Sequence, residues 1–328
     1  MIAVGIIANP ASGRDIRRLV SHGSVFDNDE KVSIVRRVLL GLEAAGVGRV
    51  WVMPDSFDIG ARALDGLRLS LDVGVLTMAV TLTQADSTRA AEAFATAGAG
   101  CIVTLGGDGT VRAVAKASGD VPLVPISTGT NNVFPRMIEG TIAGLAAGLV
   151  ARGLAPEAVW TAPRLDVIRA GSPVDLALVD AAVYLERFVA SRAIWDPAKV
   201  REVVLTRAEP GSIGLSSIGA HLPGLARAAG HALYVRLGPE GPRILAPIAP
   251  GVIRAVHLAE HRWLAPGDEV ILSHPEPCVL ALDGEREIEL GPGVPVAVRL
   301  NPSGPRVVDV RRALQLAAEA GVFVRGEA

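Results

Sequence analysis

The chain has 328 residues, half of them hydrophobic, with 36 glycines, two cysteines and a formal net charge of −2. That length can bury a sizeable core and predicts two domains. The near-neutral balance, with no block of basic residues, lacks the electrostatic footprint of a nucleic-acid binder. No run of about 18 apolar residues marks a membrane span. The chain enters an apolar strand directly after Met1, without a charged leader, which points to a cytoplasmic protein. Cys101 and Cys278 stand in separate apolar runs and read as buried free thiols.

In chain order, Val4–Ala8 reads as a short buried strand ending in Asn9-Pro10-Ala11-Ser12-Gly13, with Arg14, Arg17 and Arg18 following. That segment fits either a phosphate-facing turn or an ordinary strand end capped by Ser12. Ser24–Asp29 is polar and reads as a loop. Lys31–Ala45 has a helical period (Val32, Val35, Val38, Leu39, Leu42) closed by Gly46. A strand at Arg49–Met53, a helix near Asp58–Leu67, a strand at Leu76–Leu82 and a helix over Ser87–Ala97 continue the alternation. Such alternation predicts a parallel sheet covered on both faces, with ligands beyond the carboxyl ends of its strands.

Cys101–Leu105 is the next buried strand. It stops at Gly106-Gly107-Asp108-Gly109-Thr110, where a helix opens. A glycine turn feeding a helix gathers backbone N–H groups and a positive dipole end at one spot, which suits an anion. Asp108 is the odd residue there, since a carboxylate beside an anion site suits holding Mg²⁺ or taking a proton from a reacting hydroxyl. A plain turn with a solvated acid fits the five residues as well. A strand over Val121–Ile126 ends in Ser127-Thr128-Gly129-Thr130-Asn131-Asn132, whose hydroxyls and amides suit a nucleotide or a run of Asx-turns. A small-residue helix at Thr141–Ala151 precedes a link at Gly153–Pro163. From Arg164 short strands punctuated by Gly and Pro predict an all-β sandwich or barrel. Val307–Val310 and a helix at Arg311–Ala320 return to the first domain.

Gly106–Thr110 resembles the signature shared by NAD kinases, diacylglycerol kinases and sphingosine kinases. Asn9–Gly13 is similar to a diacylglycerol-kinase segment near the nucleotide phosphates, and Thr128–Asn132 resembles the Gly-Thr-Gly-Asn-Asp segment of the same enzymes. In the second half, Asp180 stands where NAD kinases carry an acid after an Asn, although that Asn is Val179 here. Pro210–Gly219 resembles their Thr-Gly-Ser-Thr-Ala-Tyr loop through Gly211 and Ser212, with Ile213 and Leu215 replacing Thr and Tyr. Ala246–Gly251 is similar to a Pro-Ile-x-Pro-His segment, with Gly251 in place of His. Leu280–Glu285 resembles a strand-turn of both branches, and an Asp-Gly hairpin accounts for it equally. The matches are collinear from Asn9 to Glu285, and the whole is most similar to the acetoin-catabolism protein X branch of the ATP-NAD kinase family.

The resemblance implies a Rossmann-like α/β domain over residues 1–158, completed by 303–328, and a C-terminal β-sandwich over 159–302. It implies ATP with a divalent metal such as Mg²⁺ as cofactors. Asn9, Pro10, Ser12, Gly13, Gly106, Gly107, Gly109, Thr110, Thr128, Gly129, Thr130, Asn131 and Asn132 would bind nucleotide. Asp108 would be catalytic, and Asp180, Gly211 and Ser212 would hold the acceptor. The expected activity is phosphoryl transfer from ATP to a hydroxyl of NAD or a related small molecule, in a homo-oligomer with no nucleic-acid or integral-membrane partner. A nucleotide-binding regulator without catalysis and a diacylglycerol-kinase-like enzyme with a lipid acceptor are the alternatives. His257 and His261, four apart, fit one helix face, but no third ligand accompanies them and no metal site is assigned to them.

Overall fold

The computed structural model describes residues 2–13, 21–23, 26–186, 196–222 and 230–324. Arg14, Arg17 and Arg18 of the expected phosphate-facing segment, and Ser24 of the expected loop, lie outside the described residues. The first half is β1 (Ala3–Ala8), α1 (Asn28–Ala44), β2 (Arg49–Val52), α2 (Ile59–Leu64), β3 (Asp72–Val75), α3 (Gln84–Thr96), β4 (Cys101–Gly106), α4 (Asp108–Ala115), β5 (Leu123–Ser127) and α5 (Gly140–Ala151). The five strands pair in parallel in the order β3-β2-β1-β4-β5. Side chains alternate across this sheet, as the pleat requires. Val4, Ile6, Val103 and Leu105 share one core with Val35, Leu39 and Leu42 of α1 and Ala143 and Ala147 of α5. Ile7 and Ile102 face the other core, under Ala91 and Phe94 of α3 and Val111 and Val114 of α4.

The strand expected over Leu76–Leu82 is instead β3, four residues earlier. Its neighbour β2 ends at Val52, just before Pro54, and the Leu76 N–H is the last to reach it, at Val52 O, 2.9 Å. Beyond that point the apolar run has no strand to pair with. The N–H groups of Thr81 and Leu82 turn to the Asp86 carboxylate in the first turn of α3.

After β6 (Val159–Thr161) come β7 (Arg164–Arg169), β8 (Ser172–Ala177), β9 (Asp180–Tyr184), β10 (Val200–Leu205), the short helix α6 (Ser216–Ala220) and β11 (Ala232–Leu237). Then follow β12 (Arg243–Ala249), β13 (Val252–Leu264), β14 (Glu269–Leu272), β15 (Cys278–Leu282), β16 (Glu285–Leu290), β17 (Val296–Asn301), β18 (Arg306–Val308) and α7 (Val310–Glu319). A seven-stranded sheet, β12-β13-β11-β10-β9-β15-β16, faces a four-stranded one, β14-β17-β7-β8. Leu165, Val298 and Leu300 of the smaller sheet share a core with Val183, Val204 and Leu280 of the larger, which makes a β-sandwich. β18 returns to the first sheet beside β5, and β6 lies antiparallel on its outer side. The molecule is thus a Rossmann-like parallel-sheet domain joined to a β-sandwich. His257 and His261 lie exposed on β13, not on a helix, because β13 is paired on both sides and buries Val256, Leu258 and Leu264 instead. Among the described residues no helix is long and apolar enough to cross a membrane.

Cys101 on β4 and Cys278 on β15 are both buried and unpaired. Burial pushes the Cys101 thiol up to about 12 and also raises that of Cys278. Only the thiolate is nucleophilic. The native protein therefore resists iodoacetamide at pH 8 and takes two labels per chain once unfolded in guanidinium, as mass spectrometry will report. Rapid labelling of the native protein would contradict this packing.

Candidate active site

Neighbouring parallel strands bring their carboxyl ends to one edge. The turns after β1, β4 and β5 therefore meet, through Asn9 N–H donating to Leu105 O at 3.0 Å and Thr128 N–H to Gly106 O at 3.2 Å. Side chains tighten the junction. Asn9 Nδ2 donates to Thr110 Oγ1 at 2.9 Å, and the Ser12 and Thr128 hydroxyls lie 2.9 Å apart. Asn132 Nδ2 donates to Ser127 Oγ at 2.8 Å and to Gly129 O at 3.3 Å.

Beneath this junction lies Lys31 of α1, fully buried. Its ammonium donates to the carbonyls of Asn9 (2.9 Å), Pro10 (3.2 Å) and Ser12 (2.7 Å) and to Asn28 Oδ1 (3.0 Å). By drawing the turn's carbonyls inward, it fixes the turn's shape against α1. Nothing in the sequence singles Lys31 out, because it sits at the start of a helix where an exposed lysine is ordinary.

Gly107 caps α4, and Asp108 is the first residue of that helix. Asp108 is 8% exposed, and its carboxylate accepts the N–H groups of Val133 (3.1 Å) and Phe134 (2.7 Å). It therefore clips the β5–α5 loop to the glycine turn besides facing a cavity. Close approach is strictest at Gly106, where an added Cβ would collide with Thr110 Cβ. A Cβ on Gly107 would lie 2.8 Å from Asn132 Oδ1, and one on Gly109 would lie 2.8 Å from Glu285 Oε1.

An open pocket lies between the two domains, lined by Asp108, Asn131 and Val133 from the first and by Asp180, Tyr184, Ile213, Leu215, Ile248 and Asp283 from the second. Of the residues expected from sequence, Asp108, Asn131 and Asp180 therefore meet on one cavity. Asn9, Ser12, Gly106, Thr110, Thr128, Gly129 and Asn132 form the hydrogen-bonded junction beside it. Pro10, through its carbonyl, and Gly13, whose Cβ would lie 2.8 Å from Thr128 O, belong to the same turn. Thr130 lies in the loop between Gly129 and Asn131. Gly211 and Ser212 make a turn closed by Ser212 N–H to Glu209 O at 3.0 Å, and the pocket wall begins one residue later, at Ile213.

The strongest feature of the site lies in the segment that the sequence offers either as a strand-turn similar to both kinase branches or as a plain Asp-Gly hairpin. The side chain of Asp283 is fully buried and accepts the N–H groups of Leu178 (3.0 Å), Val179 (2.8 Å) and Asp180 (3.2 Å). Arg112, two residues past Thr110 on α4, reaches across from the first domain. Its guanidinium lies 3.5 Å from Asp283 Oδ2, too long for a hydrogen bond but an ion pair, and pairs with Asp175 at 3.4 Å and with Glu287. Burial works against the Arg112 charge, but Asp283, Glu287 and Asp175 more than offset it and raise its pKa. Burial likewise pushes the Asp283 carboxyl well above the usual range, against the pull of Arg112 and with help from Asp180 and Asp108.

These residues suit ATP with Mg²⁺. Mg²⁺ keeps several waters and binds one or two carboxylates plus substrate phosphates, and Asp108 and Asp180 face one pocket beside N–H-rich turns. Among the described residues no cluster of three or more His, Cys, Asp or Glu forms an all-protein metal site.

The fold and site define a parallel-sheet domain of the ATP-NAD kinase type joined to a β-sandwich. Residues 4–154 match the ATP-NAD kinase N-terminal domain family, and residues 163–303 match the acetoin catabolism protein X C-terminal domain family. A relative from Cupriavidus necator, described as acetoin catabolism protein X, is 39% identical over 331 aligned positions, covering 94% of this chain and 90% of the relative. The chain belongs to the acetoin catabolism protein X family. Among solved structures, a diacylglycerol kinase from Bacillus anthracis aligns over 94% of this chain and 96% of its own at 14% identity and TM-score 0.49. An Archaeoglobus fulgidus NAD kinase in complex with ATP aligns over 84% of this chain and 99% of its own at 13% identity and TM-score 0.39.

Two substitutions test the site's framework by urea denaturation. Arg112→Met leaves three carboxylates facing one another and lowers stability by about 3–5 kcal/mol. Arg112→Lys fails to restore it, since one ammonium does not reproduce a planar guanidinium. Lys31→Met removes the donor for three carbonyls and costs about 2–4 kcal/mol, on the scale of hydrogen bonds to charged groups. Losses under 1 kcal/mol in both would show that these cations do not hold the site.

Proposed function

We propose that the chain transfers a phosphoryl group from ATP to a hydroxyl of NAD or a related small molecule bound in the interdomain pocket. The observation that carries this reading is the placement of Asp108: it opens α4 at the meeting of three strand ends and faces the same cavity as Asp180 of the other domain. The turns after β1, β4 and β5 would cradle the phosphates with backbone N–H groups, and Thr128–Asn132 would line the ribose or phosphates. Asp180, with the wall that follows Gly211–Ser212, would hold the acceptor. Asp108 would take the hydroxyl proton at its carboxylate or help hold the metal. Mg²⁺ would neutralise charge on the phosphates. Positioning and charge compensation supply most of the rate in this chemistry.

The substrate side departs from the NAD kinase pattern. Val179 is buried among Leu176 and Leu178 and offers no amide to a ribose, and Leu215 joins Ile213 and Ile248 in an apolar wall. A site without buried polar partners discriminates weakly between related ligands, so the acceptor belongs to a wider class than NAD. One observation favours a second reading, a nucleotide-binding regulator without catalysis. The Asp108 carboxylate is already engaged by two backbone N–H groups, and a purely structural clip would look the same.

Incubation with ATP, Mg²⁺ and NAD⁺, with NADP⁺ quantified by mass spectrometry, tests the proposal. Wild type is expected to form NADP⁺, and Asp108→Ala to lose about 10²–10⁴-fold in rate, the usual share of a proton-transfer group. If NAD⁺ is not the acceptor, a screen of hydroxyl compounds for ADP release finds the one that is. Saturable ATP binding with no ADP from any acceptor would replace the kinase by the regulator.

A further inference from the structure

Among the described residues Arg207 makes no salt bridge, and its Nε has no hydrogen-bond partner. It leaves the end of β10 directly after Thr206, whose N–H donates to Val179 O at 2.9 Å and whose hydroxyl donates to Leu178 O at 2.6 Å. Its backbone is thereby fixed beside the segment that carries Asp180. The side chain crosses to the first domain and lays its guanidinium over the Phe134 ring, 4.5 Å from the centroid. The N–H of that same Phe134 is held by Asp108 at 2.7 Å. Asp108 and Val133, the residue before Phe134, line the pocket, so the guanidinium–ring stack lies behind that part of its wall.

The neighbouring cations are all engaged. Arg112 meets Asp175, Asp283 and Glu287; Lys31 meets four oxygens; Lys116 meets Asp175 at 2.7 Å; Arg136 meets Glu209 at 2.7 Å. Glu209, two residues past Arg207, thus spends its salt bridge on Arg136. Arg207 Nε is sealed from solvent and meets no hydrogen-bond partner among the described residues. An aromatic face offsets only part of the cost of desolvating a guanidinium. Burial pushes its pKa down, with help from Arg136 and against the pull of Glu209, Asp108 and Asp283. The planar fork of donors matches a phosphate or a carboxylate. The pocket otherwise presents the carboxyl groups of Asp108, Asp180 and Asp283, which would repel an anionic ligand lacking such a cation.

We propose that Arg207 is an anion clamp, and that the acceptor taken by this pocket is a hydroxyl compound bearing a phosphate or carboxylate, which Arg207 binds beside Asp108. This rests on the phosphotransfer reading and narrows it. A neutral lipid such as a diacylglycerol does not supply the missing anion, whereas a phosphate-bearing metabolite or a hydroxy acid does.

The test uses inorganic phosphate as probe on the full-length protein saturated with ADP and Mg²⁺, so that the nucleotide turns are filled. Thermal melting is followed as phosphate is raised against chloride of equal ionic strength, for wild type, Arg207→Met and Arg207→Lys. Phosphate is expected to raise the wild-type Tm, to leave Arg207→Met unmoved, and to act on Arg207→Lys with at least tenfold weaker apparent affinity. Without phosphate, Arg207→Met is expected to melt at or above the wild-type temperature, because it deletes a desolvated, unpaired charge. A phosphate response unchanged in Arg207→Met, no response in wild type, or a lower Tm for Arg207→Met without phosphate would each overturn the clamp. The readout is binding, so it fails separately from the kinase reading. Phosphate bound at Arg207 by a protein that never releases ADP sinks only the enzyme. Turnover of a neutral acceptor with no anion bound at Arg207 sinks only the clamp.

Discussion

The Arg112 guanidinium, fully buried between Asp175, Asp283 and Glu287, is the interaction on which the rest of the site depends. It comes from the same helix whose first residue is Asp108, one turn earlier. Its partners belong to the edge of β8, the turn between β15 and β16, and β16 itself. A charge buried this deeply is tolerated only when its partners surround it, so the orientation of α4 toward the sandwich is narrowly set. Asp283 extends the constraint, since its carboxyl gathers the N–H groups of Leu178, Val179 and Asp180 and so places the residue that faces Asp108 across the pocket. The acidic turn and the acceptor wall are positioned by one cluster.

A second buried cation shapes the opposite side. Lys31 holds the Asn9–Ser12 turn from beneath, as Arg112 holds α4 from the side. The two cations thus fix the positions of both turns from opposite sides. The pocket combines the carboxylates of Asp108, Asp180 and Asp283 with an apolar wall of Ile213, Leu215 and Ile248, and the Arg207–Phe134 stack adjoins Val133 of its lining. This mixture suits a small acceptor with one apolar face, one anionic group and a hydroxyl directed toward Asp108.

The sheet was legible because its signals are local. Apolar runs ended by turn residues mark β1, β4 and β5, helical periodicity marks α1, and small-residue composition marks α5. The meeting of Asn9–Gly13, Gly106–Thr110 and Ser127–Asn132 followed from their common place at strand ends. What could not be read was pairing over long separations. Arg112 and Glu287 lie far apart in the chain, and a lone arginine among the apolar residues of a short helix gives no hint of three acidic partners. Asp283 was visible as an Asp-Gly turn, but its positive φ of 53° and its three N–H bonds arise only in the folded sheet. Leu76–Leu82 had the composition of a strand and no neighbour to pair with. His257 and His261 had helical spacing inside what is a two-sided antiparallel strand.

The central claim is that phosphates sit where the three strand ends meet, with the transferred group directed at Asp108. A crystal structure of the protein with Mg²⁺ and a non-hydrolysable ATP analogue tests it most directly. The account predicts phosphate oxygens within hydrogen-bonding distance of backbone N–H groups in the Gly106–Thr110 and Asn9–Gly13 turns, and a terminal phosphate facing the Asp108–Asp180 pocket. A nucleotide bound elsewhere, or one whose phosphates point away from Asp108, would contradict it.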